Sequence, residues 1–388
     1  MTSPLGIAIV GCGQIADAHL QQIARLRLAR AVIVCDSEPE LAEQAADRFD
    51  VPHRTTSLDE LLARADVDVV HLCTPVRSHA PLAIRCLDAG KHVYVEKPFA
   101  VDAAEAQTVV DAAARNSRRL CLGHDQLFDP VWLRAQQRVA DGRIGRVVHV
   151  ESVLGYPIGG AFGREVAADE QHWVRSLPGG LFQNTLSHPL YRVTEFIGGD
   201  ASDISLRANW LYRTPTLNLP TELRLQLWND EVTGQVTFLS AAKPPQRISR
   251  IYGDAGILEV DFDAQTIRFT PPSALPGAFE KLQRPLKHLT EAAGNVARGL
   301  WSFARSDIHY FAGMRNLFAT FYNHIRDGAP PPIESAEMVR VTEVMDAVFA
   351  AARAAESRPP QRVGRRCEAT APNATPSLTP HSAREVVR

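Results

Sequence analysis

The chain has 388 residues, 45% of them hydrophobic and 22% charged, which leaves room for two or three domains of ordinary size and excludes both a lone recognition module and a wholly disordered chain. Its 42 Lys plus Arg against 44 Asp plus Glu give a formal net charge of -2, so no global basic field is present to hold a nucleic-acid backbone. No apolar run reaches the roughly 18 residues that span a bilayer, and the N-terminus lacks the basic, apolar and cleavage segments of a secretory signal, so the expectation is a cytoplasmic protein with no membrane partner.

Residues 5–10, 31–36, 67–74, 92–96 and 120–123 are short β-branched runs, separated by helical stretches at 15–27, 39–49, 57–63, 78–89 and 101–116. That alternation predicts a parallel sheet with crossover helices over residues 1–123. Beyond 124 the strands lengthen and alternate, at 147–156, 204–212, 222–229, 232–240, 247–252 and 257–262, with helices at 130–141, 181–196, 310–326 and 336–355. This pattern predicts a second, α+β domain over 124–356 built on a mostly antiparallel open sheet, closed by the helix at 336–356. The segment 271–307 opens on Pro271-Pro272 and sets Arg284, Lys287, Arg298 and Arg305 among apolar residues. It reads as an amphipathic helical insertion packed on the domain or at a subunit interface, in preference to a membrane surface. Residues 357–388 are rich in Pro, Ser, Thr and Arg and read as a disordered tail. The six cysteines, at 12, 35, 73, 86, 121 and 367, form no C-x-x-C pair; they read as reduced core thiols, and the sequence offers no metal site.

Directly after the first strand comes Gly11-Cys12-Gly13-Gln14-Ile15-Ala16, followed by a helix. Gly11 permits the tight strand-to-helix turn, Gly13 lets the backbone approach a pyrophosphate, and Ala16 keeps the helix close to the strand while its first amides face the anion. Asp36 ends the second strand twenty residues beyond Ala16, where a carboxylate accepts hydrogen bonds from an adenosine ribose. Strand, turn, helix and acid together predict a Rossmann domain. A carboxylate at Asp36 repels a ribose 2′-phosphate and Ser37-Glu38-Pro39-Glu40 offers no arginine to neutralise one, so NAD is expected over NADP.

Further along stand Cys73-Thr74-Pro75 with His79, then Ala89-Gly90-Lys91-His92-Val93-Tyr94-Val95-Glu96-Lys97-Pro98. This run closely resembles the glucose-fructose oxidoreductase / inositol dehydrogenase (Gfo/Idh/MocA) family, and the resemblance extends over about residues 5–356 without the insertion. It implies an NAD(P)-dependent oxidoreductase acting on CH-OH groups of sugars, cyclitols or their derivatives, assembled as a homodimer or homotetramer through the outer face of the antiparallel sheet. It places Lys97 beside the nicotinamide and the substrate hydroxyl, and Thr74, Pro75, His79 and Glu96 around the cofactor. An ammonium donates to oxygen and shares its proton, as a guanidinium does not. Lysines are also scarce here, five among 42 basic residues, which makes one at this position less casual.

The family's second stretch, approximately G-G-x-x-x-D-x-G-x-H-x-x-D, is matched by residues 179–191, with His188 on the family histidine. The resemblance gives His188 the proton of the substrate hydroxyl, a role worth on the order of 10² to 10⁴ in rate. Three positions differ: Asn184 and Tyr191 stand where the family has Asp, and Leu186 where it has Gly. Asn184, four residues before His188, shares its helix face, and its amide positions a substrate but accepts no proton. Ahead of it the loop at 159–178 carries Arg164, His172, Trp173 and Arg175. Trp173 suits stacking on a sugar ring, and Arg164 or Arg175 suits gripping a phosphate or carboxylate. His124 and Asp125 follow the last strand of the first domain, where the two domains should meet. The expected substrate-contacting set is therefore Lys97, His124, Arg164, Trp173, Asn184 and His188. Two other outcomes fit the same residues: a closed redox cycle in which the cofactor oxidises and then re-reduces the same substrate around an elimination or hydrolysis, and a catalytically silent NAD sensor.

Overall fold

A computed structural model describes residues 3–213, 217, 219–272, 277–304 and 311–356; the tail expected at 357–388 lies outside the described residues, as do 273–276 and 305–310 around the insertion. The first sheet holds β1 (Leu5–Val10), β2 (Ala29–Cys35), β3 (His53–Thr55), β4 (Val69–Leu72), β5 (His92–Val95) and β6 (Leu120–Leu122), in the order β3-β2-β1-β4-β5-β6. Every pairing in it is parallel. Helices α1 (Gln14–Ala24), α2 (Pro39–Phe49), α3 (Leu58–Leu62), α4 (His79–Asp88) and α5 (Ala103–Arg115) make the crossovers. The interior of β1 and the whole of β4 are buried on both faces, as the continuous apolar runs of a doubly covered parallel sheet require. The strand order reverses between β1 and β4, and the crevice at their carboxyl ends is where such sheets bind ligands.

After α6 (Pro130–Ala140), a second sheet is built from β7 (Val147–Gly155), β8 (Ser205–Leu211), β9 (Glu222–Trp228), β10 (Thr233–Leu239), β11 (Arg247–Gly253), β12 (Gly256–Asp261) and β13 (Thr266–Thr270). Its order is β13-β12-β11-β7-β10-β9-β8, antiparallel except where β10 runs parallel to β7. Between β7 and β8 lie α7 (Ala161–Ala168), α8 (Leu181–Thr185) and α9 (Ser187–Thr194). The single helix expected at 181–196 is thus two, because Pro189 has no N–H to return to Thr185. Leu186 keeps right-handed helical angles, with φ -69° and ψ -26°, so the chain turns little at the break. The strands β3 and β13 were not expected; at three and five residues they are too short to show a period.

The chain ends in α10 (Gly277–Ala304), α11 (Ala312–Asp327) and α12 (Ser335–Glu356). Although α11 follows the second sheet in sequence, Met314, Leu317, Phe318, Phe321 and Tyr322 pack into the core of the first. The helical spacing of these residues gives α11 an apolar face but does not say which sheet receives it. In α12, Met338 and Val339 join that core while Val341 to Ala352 fill the other. Phe318 is fully buried against His19, His71 and Tyr94. We expect Phe318→Ala to cost about 3–5 kcal/mol of stability, read by urea denaturation, with NADH-dependent stabilisation weakened alongside; a loss under about 1 kcal/mol would mean that α11 is peripheral.

Candidate active site

A cleft of about 800 Å³ opens at the carboxyl ends of β1 and β4 and reaches across to the second sheet's side. Gly11 sits at its floor with φ +90°, and a Cβ there would stand 2.8 Å from both the Cys73 carbonyl carbon and the Thr74 methyl, so only glycine closes this turn without strain. At Gly13 a Cβ would meet nothing within 4 Å; the space it faces is open. Ala16 is fully buried and holds α1 against the sheet. Gln14, Ile15, Thr74 and Pro75 line the same wall. Asp36 is fixed by two backbone donors, Cys12 N–H at 2.7 Å and Glu38 N–H at 3.0 Å. Oδ1 also takes the Ser37 hydroxyl at 3.4 Å, and Oδ2 keeps a lone pair for a further hydrogen bond. These residues fit a dinucleotide: a glycine turn, open room above Gly13, and a carboxylate where a ribose would lie.

Lys97 enters from the end of β5, and among the described residues it is the only cation lining the cleft, opposite Asp36, Glu96 and Glu165. Its ammonium donates to the main-chain oxygen of Asn184 at 3.1 Å and to the amide oxygen of the same residue at 3.4 Å. Glu96 is buried; its carboxylate accepts from the Lys97 backbone N–H at 3.1 Å and bonds His19 at 2.9 Å. Burial pushes this carboxyl up, but the His19 hydrogen bond and the charges of His19 and Lys97 outweigh burial and leave it lowered, hence ionised. Behind it, His19 Nδ1 meets His71 Nδ1 at 3.0 Å, and His71 Nε2 meets the Tyr322 hydroxyl at 3.0 Å. Burial, with His19 beside it, holds His71 far below the usual imidazole range. Nothing in the sequence linked these residues, since bonded partners among them lie up to 251 residues apart.

His188 is partly buried at the start of α9. Its Nδ1 lies 2.8 Å from the Tyr191 hydroxyl and 3.9 Å from Asp125 Oδ1. The Tyr191 oxygen also accepts the Gln126 N–H at 3.2 Å. Burial and the nearby Lys97 and Arg192 charges hold the imidazole well below its ordinary value, so it is neutral near pH 7. Burial, with Glu96 adding to it, pushes the Asp125 carboxyl up to about 7, and Oδ1 is buried without a hydrogen-bond partner. Tyr191, which differs from the family pattern, therefore occupies the histidine's inner nitrogen, and a carboxyl from the loop after β6 lies close to the same nitrogen.

Trp173 and Asn184 line the cleft; five other expected residues do not, and one of them is His188, described above, which is not among the cleft's wall residues. His79 is buried, with its two nitrogens on the carbonyls of Pro98 and Thr74 at 2.8 and 2.7 Å, so it braces two loops that flank the cofactor wall and does not face it. His124 is buried with its ring 4.3 Å from that of Tyr191, and burial lowers it to about 3. Arg164 is exposed and folds back onto the Gly159 carbonyl of its own loop. Arg175 donates to the carbonyls of Val166 and Leu217. Part of the stretch expected as a loop at 159–178 is the helix α7, and Glu165, next to Arg164 on it, reaches the cleft.

The model of an oxidoreductase family with an NAD-binding Rossmann fold matches residues 5–124, and the C-terminal domain model of the same GFO/IDH/MocA family matches 132–259. An inositol 2-dehydrogenase of Rhizobium meliloti (strain 1021) is 28% identical over 200 residues, 52% of this chain and 57% of the relative. A 4-carboxy-2-hydroxymuconate-6-semialdehyde dehydrogenase of Sphingobium sp. is 34% identical over 138 residues, 36% of this chain and 44% of the relative. The chain thus matches about half the length of these curated relatives. Among solved structures, the WlbA dehydrogenase of Bordetella pertussis, in complex with NADH and UDP-GlcNAcA, superposes with a TM-score of 0.71 at 20% identity over 92% of this chain and 97% of that one. A levoglucosan dehydrogenase in complex with NADH and levoglucosan does so with a TM-score of 0.71 at 18% identity over 90% and 98%. With both halves matched and the fingerprint cleft between them, the chain belongs to the Gfo/Idh/MocA family of NAD-binding oxidoreductases.

Proposed function

We propose that the protein moves a hydride between NAD and the carbinol carbon of a secondary alcohol in a sugar, cyclitol or sugar derivative. The observation that carries this reading is the Lys97 ammonium, among the described residues the sole cation of the cleft wall, poised between the nucleotide floor and Asn184. The inositol and levoglucosan dehydrogenases among the relatives support the polyol class. Gly11, Gly13, Gln14, Ile15 and Asp36 would hold the dinucleotide, with Thr74, Pro75 and the backbone next to Glu96 along its nicotinamide end. The bound nicotinamide supplies the hydride acceptor or donor. Lys97 donates to the substrate oxygen and stabilises its developing negative charge. Asn184 positions both the ammonium and the substrate.

His188 takes the hydroxyl proton on Nε2. For that nitrogen to be the acceptor, Nδ1 must carry the hydrogen and donate to the Tyr191 oxygen. Tyr191 then accepts from His188 and from the Gln126 amide, and Asp125, 3.9 Å from the same imidazole nitrogen, stabilises the imidazolium that forms. A partly buried neutral imidazole and a nearby carboxyl divide the work of base and counter-charge.

Three outcomes test this reading. Lys97→Ala should lower kcat/KM at least about a hundredfold, equivalent to about 2.7 kcal/mol of barrier, with NADH affinity kept; near-normal turnover refutes the assignment. NADP should bind at least about tenfold more weakly than NAD, because Asp36 meets the extra phosphate and, among the described residues, no arginine or second lysine lines the cleft to neutralise it; equal affinities refute the preference. Asp125→Asn tests the buried carboxyl through stability. Because folding raises its pKa to about 7, the native state holds a proton that the unfolded chain has released, so this group's contribution falls as pH rises from about 4 to 7. Thermal unfolding of Asp125→Asn should therefore gain on wild type as pH rises through that window, and a constant difference would show that Asp125 does not titrate there.

A further inference from the structure

The helix α10 is mounted inside out. Glu291 accepts the Phe269 amide at 2.6 Å and lies 3.5 Å from Arg138, and Asn295 donates to the Ile267 carbonyl at 3.0 Å, so its polar face lies on edge strand β13. Its apolar residues face away: Phe279, Leu286, Leu289, Val296, Leu300 and Phe303 are 56–74% exposed. An ordinary surface helix does the reverse.

The helix sequence also keeps a strict apolar spacing. Phe279, Leu282, Leu286, Leu289, Ala293, Val296, Leu300 and Phe303 follow one another at alternating intervals of three and four over the whole helix. This is the a/d seam of a coiled coil, sustained for four heptads. Pro285 sits beside the seam, and the part beyond it runs unbroken from Leu286 to Phe303. The flanking e and g positions are Gln283, Thr290, Ala297, Ala304 and Ala278, Pro285, Ala292, Gly299. None is charged, so a copy of this helix meets its own flanks without repulsion, and small side chains let the backbones approach. An interfacial lipid-binding helix instead sets Lys and Arg along the edges of its apolar face; here the charged residues lie on the opposite side. Two such faces in contact remove on the order of 1,400 Å² from water, inside the range of a stable interface.

We propose that α10 pairs with α10 of a second copy of this chain, forming a two-helix coiled coil that joins two protomers edge to edge at β13. The pairing is isologous, as a two-fold dimer requires. It differs from association through the sheet's open face, where Glu151, Arg250 and Glu259 form an ion-pair network.

Light scattering of the full chain, wild type beside Leu289→Glu/Val296→Glu and beside Leu300→Asp alone, tests this. Circular dichroism and NADH binding equal to wild type report that each variant is folded, and the single, solvent-side substitution serves if the double one does not fold. The expected result is a wild-type dimer or tetramer whose mass falls by half in the variant. A monomeric wild type overturns the proposal, as does an oligomer whose mass is unchanged by the substitutions. Capture of the wild type by anionic phosphatidylserine vesicles, lost in the variants with no change in mass, overturns it in favour of a membrane surface.

Discussion

The bond from Lys97 to Asn184 is the interaction on which the site depends, because it joins the end of β5 in the first domain to α8 of the second across the cleft. A lysine on a flexible four-carbon stem is a poor positioning device alone. Here its stem begins at a peptide whose amide is fixed by the buried Glu96 carboxylate, and its far end rests on an acceptor from α8. A buried carboxylate costs several kcal/mol unless it is paired and hydrogen-bonded. Glu96 meets that demand with His19 on one oxygen and the Lys97 amide on the other, and His19 in turn leans on His71, which leans on Tyr322 of α11. The placement of one ammonium thus rests on a helix more than two hundred residues further along the chain.

The departures from the family pattern fall together for a physical reason. Where the pattern carries carboxylates, this chain has the neutral Asn184 and Tyr191, and a carboxyl appears instead at Asp125. Asn184 accepts the Lys97 proton donor without adding charge, which keeps Glu96 and Asp125 as the acids of the region. Two ionised carboxylates within reach of each other in a partly buried site repel, and the one with fewer donors holds its proton. Glu96 has donors that outweigh its burial, whereas burial, with Glu96 adding to it, pushes the Asp125 carboxyl up to about 7 and its Oδ1 has no donor to offset that.

Features set by neighbours in the chain were legible beforehand. The glycine turn, Asp36 at the second strand's end and the strand-helix alternation follow from local spacing, whereas Lys97 was singled out by the family resemblance of residues 89–98. Residue type alone was a poor guide to direction: His79, His124 and Arg175 carry chemistry suited to a pocket, yet each spends its polar atoms on the fold or is buried. Asp125 beside His188 was not legible as a pair, because 63 residues of chain separate them and no periodicity links a loop after β6 to the start of α9. The receiving core of α11 was hidden for a related reason, since an amphipathic face specifies that a helix packs and leaves the partner open.

The two sheets are tied together by α12. Its first turns lie in one core and its remainder in the other. Arg340 donates to the Thr194 and Ile197 carbonyls at the end of α9, at 2.9 and 3.0 Å, and Asp346 accepts the Ala103 N–H at the start of α5, at 2.8 Å. A cation at one helix's C-terminus and an anion at another's N-terminus each satisfy backbone groups that a helix leaves unpaired. With the two sheets braced in this way, Lys97 meets Asn184 across a gap that does not need to close. An ammonium has three donors, and two contacts go to the oxygens of Asn184. The third is left for an oxygen in the cleft, where the substrate hydroxyl we propose would meet a group already held from both sides.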